Sequence, residues 1–257
     1  MKAGSIKMIL SLTLACSLWV SVLAQMNNSM MGVWGKEENG VKTLALITDQ
    51  LISVAVYNEN EKQFLYTWGG KYELQGQQLQ IHYEWHSKDS NLVNNTSLFP
   101  VRFQKRHSQI SIGNELSGLR TLGKNNTGEL QGTWIISGNY ADGVVRKRSN
   151  PFYPRRTMKI IVGDYFQWVS YNVVTKKFFD AGGGKQSHGN GQYSEQIAYF
   201  TKTAASVGKQ LSYSYQLDGD DWRHTGQKST GGLLDECWTR RSRIEEMFPP
   251  VIIGSPK

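Results

Sequence analysis

Three groups of residues have side chains and spacing that could do chemistry. The first is Gly182-Gly183-Gly184-Lys185, which has the look of a phosphate cradle. A Walker-type loop needs G-x-x-x-x-G-K-[ST] between a strand and a helix, so that backbone amides ring the phosphates. Counting back from Gly184-Lys185, the first required glycine falls on Phe179, and Gln186 stands where Ser or Thr is needed. No helical period follows. The glycines are expected instead to mark a strand end and wide turn, giving positive φ or a bulge. The second group is IHYEWH. On a strand His82, Glu84 and His86 share one face, a spacing able to ligate zinc. Ile81, Tyr83 and Trp85 form the better core face, so the polar trio is expected to look into solvent, and no metal site is expected. The third group is Glu195 with His224. In QYSEQIAYF, Tyr193, Glu195 and Ile197 fall on one face, and the apolar member turns Glu195 inward. Trp222 and His224 likewise share a face. A carboxylate and an imidazole facing one interior could orient a polar ligand, act as acid and base, or form a buried hydrogen-bonded pair. No serine sits in a nucleophile elbow, and neither does Cys237.

The elements that must position these residues are strands. TLALIT, LISVAVY, QLQIHYEW, TMKIIV, YFQWVSY, QIAYFTK and QLSYSYQL are short and rich in β-branched and aromatic residues. Gly, Asn and Asp turns separate them, and no window keeps a helical period. The fold class is therefore all-β, with antiparallel meander connections. A shift of 114 residues lays TLALITDQLISVAVYNENEKQFLYTWGGK over TMKIIVGDYFQWVSYNVVTKKFFDAGGGK without a gap. Tyr57/Tyr171, Asn58/Asn172, Phe64/Phe178 and Gly69-Gly70-Lys71/Gly183-Gly184-Lys185 coincide. Each copy is preceded by Gly-x-Trp, at Gly32-Val33-Trp34 and Gly132-Thr133-Trp134. Two related β units follow, residues 25–122 and 123–244, with a tail at 245–257. Closure into barrels would remove their exposed edges, as two barrels or one composite barrel.

Composition narrows the partners. Met1-Lys2, Lys7 and the apolar run from Met8 to Ala24 read as a signal peptide cleaved near Ala24. The expected location is secreted or periplasmic, with lipidation at Cys16 the lesser alternative. Beyond the leader Cys237 is the one cysteine, so no intrachain disulfide is available. The formal net charge of +8 includes the leader's two lysines and is too low for a dedicated nucleic-acid binder. No second apolar run reaches transmembrane length. The stretch VVRKRSNPFYPRR (144–156) gathers five basic residues, as a solvated loop or an anion-attracting lip at a barrel mouth.

Gly-x-Trp opening a meander, with Trp-x-Arg in its last strand, resembles the lipocalin and wider calycin group. More closely, the second unit resembles a group of small secreted lipocalin-like bacterial proteins. It carries Phe166-Gln167-Trp168-Val169, Gly183-Gly184, Tyr193-Ser194-Glu195, Gly219-Asp220-Asp221-Trp222 with His224, and Glu236-Cys237-Trp238-Thr239-Arg240 in that order. The first unit ends GLRTL and lacks Trp-x-Arg. The resemblance implies a barrel with an internal cavity, closed at one end by Trp134, Trp238 and Arg240. It does not imply an activity. The expectation is a binding protein, uncertain as an enzyme and more readily not one, needing no cofactor. Its partner would be a small hydrophobic or amphipathic molecule or a glycan, with Trp168, Tyr193, Glu195, Trp222 and His224 as ligand contacts. The alternatives are an enzyme on a secreted small molecule or glycan, with Glu195 and His224 as acid and base, and a cell-envelope module with filled interiors.

Overall fold

The structure, a computed structural model, describes residues 29–104, 108–123 and 128–249; the expected signal peptide and Cys16 lie outside them. The first unit holds β1 (Gly32–Glu38), β2 (Val41–Ile47), β3 (Leu51–Asn58), β4 (Gln63–Gln75), β5 (Gln78–His86), β6 (Thr96–Gln104), β7 (Gln109–Ile112) and β8 (Leu116–Gly123). Each strand pairs antiparallel with the next, and β8 returns to β1 to close the barrel. The second unit holds β9 (Gly132–Ala141), β10 (Val144–Lys147), β11 (Arg155–Val162), β12 (Tyr165–Asn172), β13 (Phe178–Gly189), β14 (Gln192–Phe200), β15 (Gln210–Asp218), β16 (Asp221–Gln227) and β17 (Leu233–Arg240). Here β17 closes on β9, and β10 is an extra edge strand hydrogen-bonded to β9. There are thus two eight-stranded barrels rather than one composite barrel. A short helix, α1 (Arg241–Met247), follows β17 within the segment where no helical period is visible.

Strand alternation gives each barrel an inner and an outer face, and at their contact both faces are buried. Every residue of β3 is buried. Ile52, Val54 and Val56 enter the interior of barrel 1, whereas Leu51, Ala55 and Tyr57 join a core shared with barrel 2. Along β11, Ile161 points into barrel 2, while Met158, Ile160 and Val162 point at barrel 1. This double burial is why these strands read as nearly continuous apolar runs.

The contact is reciprocal. Tyr57 packs on Tyr199 at 4.7 Å between ring centroids, and Tyr171 packs on Trp85 at 5.3 Å. Under the 114-residue shift, Tyr57 becomes Tyr171 and Trp85 becomes Tyr199. Phe64 stacks on its own counterpart, Phe178, with rings 6° from parallel. Ser53 donates to the amide oxygen of its counterpart, Gln167. Paired patches that each contact the other define a pseudo-two-fold interface, as in an isologous dimer.

The twin Gly-Gly-Lys motifs serve this interface from inside strands rather than at a turn. On β4–β5, Gly69 pairs with Trp85 and Gly70 with Tyr83, leaving Glu84 as the extra residue of a bulge. On β13–β14, Gly183 pairs with Tyr199 and Gly184 with Ile197, leaving Ala198 extra. The bulge switches the alternation, so Tyr83 faces the interior and Trp85 the seam. A Cβ on Gly70 would lie 1.9 Å from the His82 carbonyl oxygen, and one on Gly184 2.0 Å from that of Gln196. A Cβ on Gly69 would meet the Trp85 ring at 2.3 Å.

The same bulge separates the expected trio. His82 is exposed, His86 packs beside Tyr83 at 6.1 Å, and Glu84 is buried in the seam. There Glu84 Oε2 accepts from Arg156 Nη1 at 2.9 Å, Tyr171 OH at 2.5 Å and Arg241 Nη1 at 3.2 Å, while Oε1 accepts from Arg241 Nη2. Burial alone would raise its carboxyl, but Arg241 and Arg156 hold it well below the ordinary range. Arg241 also meets Glu245 of its own helix at 2.9 Å, and Glu245 meets Lys71 of β4 at 2.9 Å. The basic stretch 144–156 is thereby partly structural, while Arg146 and Arg148 are exposed. Arg156 lies over Phe152 at 3.5 Å, Phe152 is buried in the seam, and Lys147 pairs with Asp221 at 2.6 Å.

Removing the buried carboxylate from between two guanidiniums leaves Arg156 without its carboxylate and Arg241 with Glu245 alone. Glu84→Ala is expected to cost about 3–5 kcal/mol in urea denaturation, against less than about 0.5 kcal/mol for exposed His82→Ala. Gly70→Ala and Gly184→Ala should each cost about 1–3 kcal/mol, because the methyl group meets backbone that cannot yield without moving the bulge.

Candidate functional site

The interior of barrel 2 carries a polar cluster inside an aromatic shell. β11 contributes Lys159, β14 Tyr193 and Glu195, β15 Tyr213, β16 Trp222 and His224, and β17 Glu236 and Trp238. Register aligns them: Lys159 pairs with Trp134 and Trp168, Tyr193 with Tyr213, Trp222 with Trp238, and His224 with Glu236. Directly paired residues share a face, so these strands aim their polar groups at one space.

Lys159 Nζ donates to Glu195 Oε1 at 2.8 Å, with both side chains 5% exposed. Tyr193 OH donates to the same oxygen at 2.9 Å. The ammonium also faces the rings of Tyr193 and Trp222 at 5.1 Å, Trp238 at 5.2 Å and Phe166 at 5.9 Å. Aromatic faces and a carboxylate together compensate its desolvation. His224 is packed among Tyr213 at 4.2 Å, Trp222 at 5.0 Å and Tyr193 at 5.5 Å. Its Nδ1 is 3.9 Å from Glu236 Oε2, beyond hydrogen-bond length, and that oxygen accepts instead from Trp238 Nε1 at 3.0 Å. Both His224 ring nitrogens and Trp222 Nε1 are buried without a hydrogen-bond partner among the described residues. Burial first, and then the charge of Lys159, push the imidazole down to about 4, so it is neutral at neutral pH.

Tyr193, Glu195, Trp222 and His224 therefore meet in one interior, on the faces that alternation assigns them. Trp168 shares the inward face but stands apart. It is half-buried against Phe200 at 5.6 Å, with Lys202 Nζ 5.6 Å over its ring. Glu195 and His224 do not hydrogen-bond to each other, and Glu195 is engaged by Lys159 and Tyr193. Trp134 donates Nε1 to the Leu130 carbonyl at 2.9 Å, and the Arg240 guanidinium covers its ring at 3.8 Å while donating to the carbonyls of Gln131 and Glu129. Trp238 faces the polar cluster, 6.2 Å from Trp222. Among the described residues no group of three or more His, Cys, Asp or Glu could hold a metal ion, and Cys237 is buried with Ser137 Oγ 3.3 Å from its sulfur.

Sequence reasoning missed Lys159, Tyr213 and Glu236. Lys159 had a visible signal: it is the one charged residue in the run MKIIV of β11, on the face of Ile161. The repeat shows that barrel closure does not require it. The counterparts of Lys159, Tyr193 and Glu195 in barrel 1 are Ala45, Leu79 and Ile81, all fully buried in an apolar interior. Trp34 still donates to the carbonyl four residues earlier, at 2.7 Å from Met30, while Thr121 stands opposite it in place of an arginine.

No protein-family model matches the chain, and a comparison with curated proteins finds no match. Fold and interior define the class by architecture alone: a tandem of two antiparallel eight-stranded barrels, the second with a buried, incompletely paired polar cluster. Among the described residues no helix is long and apolar enough to cross a membrane.

His224 titrates near 4 in the folded chain against 6.5 in its ordinary state. The unfolded chain thus takes up a proton first, and stability falls as pH drops from about 6.5 to about 4, by about 3 kcal/mol from this residue. His86 and His188 are also shifted down by burial, so the informative quantity is the difference from a variant. His224→Phe should show a shallower fall in stability across that window than wild type, the two curves differing by about 3 kcal/mol between its ends, and should be no less stable at pH 7.

Proposed function

We propose that barrel 2 binds a small, partly apolar molecule through a neutral polar group held by His224 and Trp222. The observation that carries this reading is the three buried, unpartnered nitrogens, two on His224 and one on Trp222. Each such nitrogen costs free energy unless something bonds to it. The indole N–H can only donate, and a neutral imidazole donates once and accepts once. A complementary group therefore both accepts and donates, as a hydroxyl or amide does. The carboxylates Glu195, paired with the Lys159 ammonium, and Glu236, 3.9 Å from His224 Nδ1, outnumber the one ammonium here, which disfavours an anion at this point. The Tyr193, Tyr213, Trp222 and Trp238 rings offer the apolar remainder its contact area.

The twin barrel supports a functional reason for the cluster, since it closes with Ala45, Leu79 and Ile81 in the equivalent places. The lipocalin-like order of motifs in the second unit agrees with a cavity-binding role, and the apolar leader with a secreted or periplasmic location. Protein purified from its own source and examined by native mass spectrometry is expected to carry a neutral small molecule. His224→Phe and Trp222→Phe should each reduce its retention about tenfold or more, since each leaves a ligand polar group unpaired. Equal retention by wild type and both variants would remove these residues from the site.

A further inference from the structure

The pseudo-two-fold gives the seam two equivalent ends, and only one is filled by α1. At that end Arg241 reaches Glu84 and the Met158 sulfur, Glu245 meets Lys71, and Ile244 is buried in the shared core. Under the 114-residue shift, Glu84, Met158 and Lys71 become Ala198, Leu44 and Lys185. Arg156 and Tyr171, which also meet Glu84, become Lys42 and Tyr57. All five counterparts line a single groove of about 570 Å³ at the other end of the seam. The groove repeats the seat of α1 in its backbone and apolar floor, and differs in charge.

Lys42 is paired with Glu59 at 2.6 Å, and Lys36 with Glu38 at 3.2 Å. Of the remaining charges in the lining, Lys185 and Arg120 and the single carboxylate Glu37 have no ion-pair partner among the described residues, so free cations outnumber free carboxylates by two to one. A basic side chain placed as Arg241 is placed would find Ala198 where α1 finds Glu84. Leu122, on the groove wall, leaves 47% of its surface exposed. An occupant must therefore carry carboxylates for Lys185 and Arg120, and an apolar side chain for Leu44, Tyr57 and Leu122. It must lack the base that anchors α1.

We infer that this groove docks an acidic amphipathic peptide segment of a partner protein, seated as α1 is seated at the opposite end. The site is separate from the barrel 2 interior and does not depend on what binds there. Lys185 stands to the partner's carboxylate as Lys71 stands to Glu245, and Arg120 adds a second cation at the rim.

The test uses a fluorescein-labelled synthetic peptide of residues 241–248 carrying Arg241→Glu and Arg243→Glu, titrated with the full chain and read by anisotropy and by NMR shifts of the protein. Saturable binding is expected, weakened about tenfold or more by Lys185→Glu, by Arg120→Glu and by high salt. His224→Phe should leave it unchanged. The unaltered α1 peptide should bind wild type more weakly than the acidic one, and Ala198→Glu should reverse that order. No saturation up to about 1 mM peptide, or binding indifferent to both charge reversals, would overturn the inference. So would groove shifts produced by decanoate and not by the peptide, which would make this a small-molecule site.

Discussion

The buried contact between the outer faces of the two barrels is the constraint on which the rest of the structure depends. A barrel with a solvated exterior needs apolar residues on one face only. Here β3, β11 and β12 are buried on both, and their sequences follow. Close approach also explains the Gly-Gly pairs. Each lies beneath an aromatic ring, Trp85 or Tyr199, which a bulge has turned from the barrel interior into the seam. One extra residue per bulge is enough, because side-chain alternation has a period of two. The residue inserted in the first bulge is Glu84, and its charge then obliges Arg156 and Arg241 to come into the seam with it. Through Arg241 the helix after β17 is drawn onto barrel 1, so one bulge residue ties together three parts of the chain.

Symmetry is kept in the aromatic middle of the seam and lost at its ends and in the barrel interiors. Tyr57 with Tyr199, Tyr171 with Trp85, and Phe64 with Phe178 obey the two-fold relation because each patch must fit the other. The interiors have diverged. Barrel 1 is closed by aliphatic and aromatic packing, whereas barrel 2 buries an ion pair, a neutral histidine and an unbonded indole. Buried groups without partners weigh against stability, and a closely related barrel does without them. That contrast within one chain separates what the fold requires from what has been added to it. The two ends of the seam have diverged in the same way, with Glu84 and α1 at one and Ala198 and an open, cationic groove at the other.

Much of the fold was legible in the chain. Short β-branched and aromatic runs separated by turn residues specify antiparallel strands, and the 114-residue repeat specifies two units. Alternation along QYSEQIAYF and DDWRHTG placed Tyr193, Glu195, Trp222 and His224 on inward faces, since those strands are regular at these positions. It failed along IHYEWH, where the bulge reassigns Glu84, Trp85 and His86, and the pairing that creates the bulge lies on β4. Lys159 stands out as the one charge in MKIIV, but its inward direction was not legible, because both faces of that part of β11 are buried, which erases the contrast that alternation reading needs.

Composition and pattern by themselves determined an all-β chain, two repeated units, and the inward faces of the regular strands, because these follow from local alternation and turn chemistry. Only the tertiary structure decided that there are two closed barrels, that Gly69-Gly70 and Gly183-Gly184 make room for rings crossing a seam, and that Glu84 pairs with Arg241. It also decided that Lys159 completes the polar cluster, and that among the described residues one end of the seam is a groove. These depend on groups distant in sequence meeting in space: 157 residues separate Glu84 from Arg241. Burial then turns each meeting into a demand for a partner that no local window of sequence can reveal.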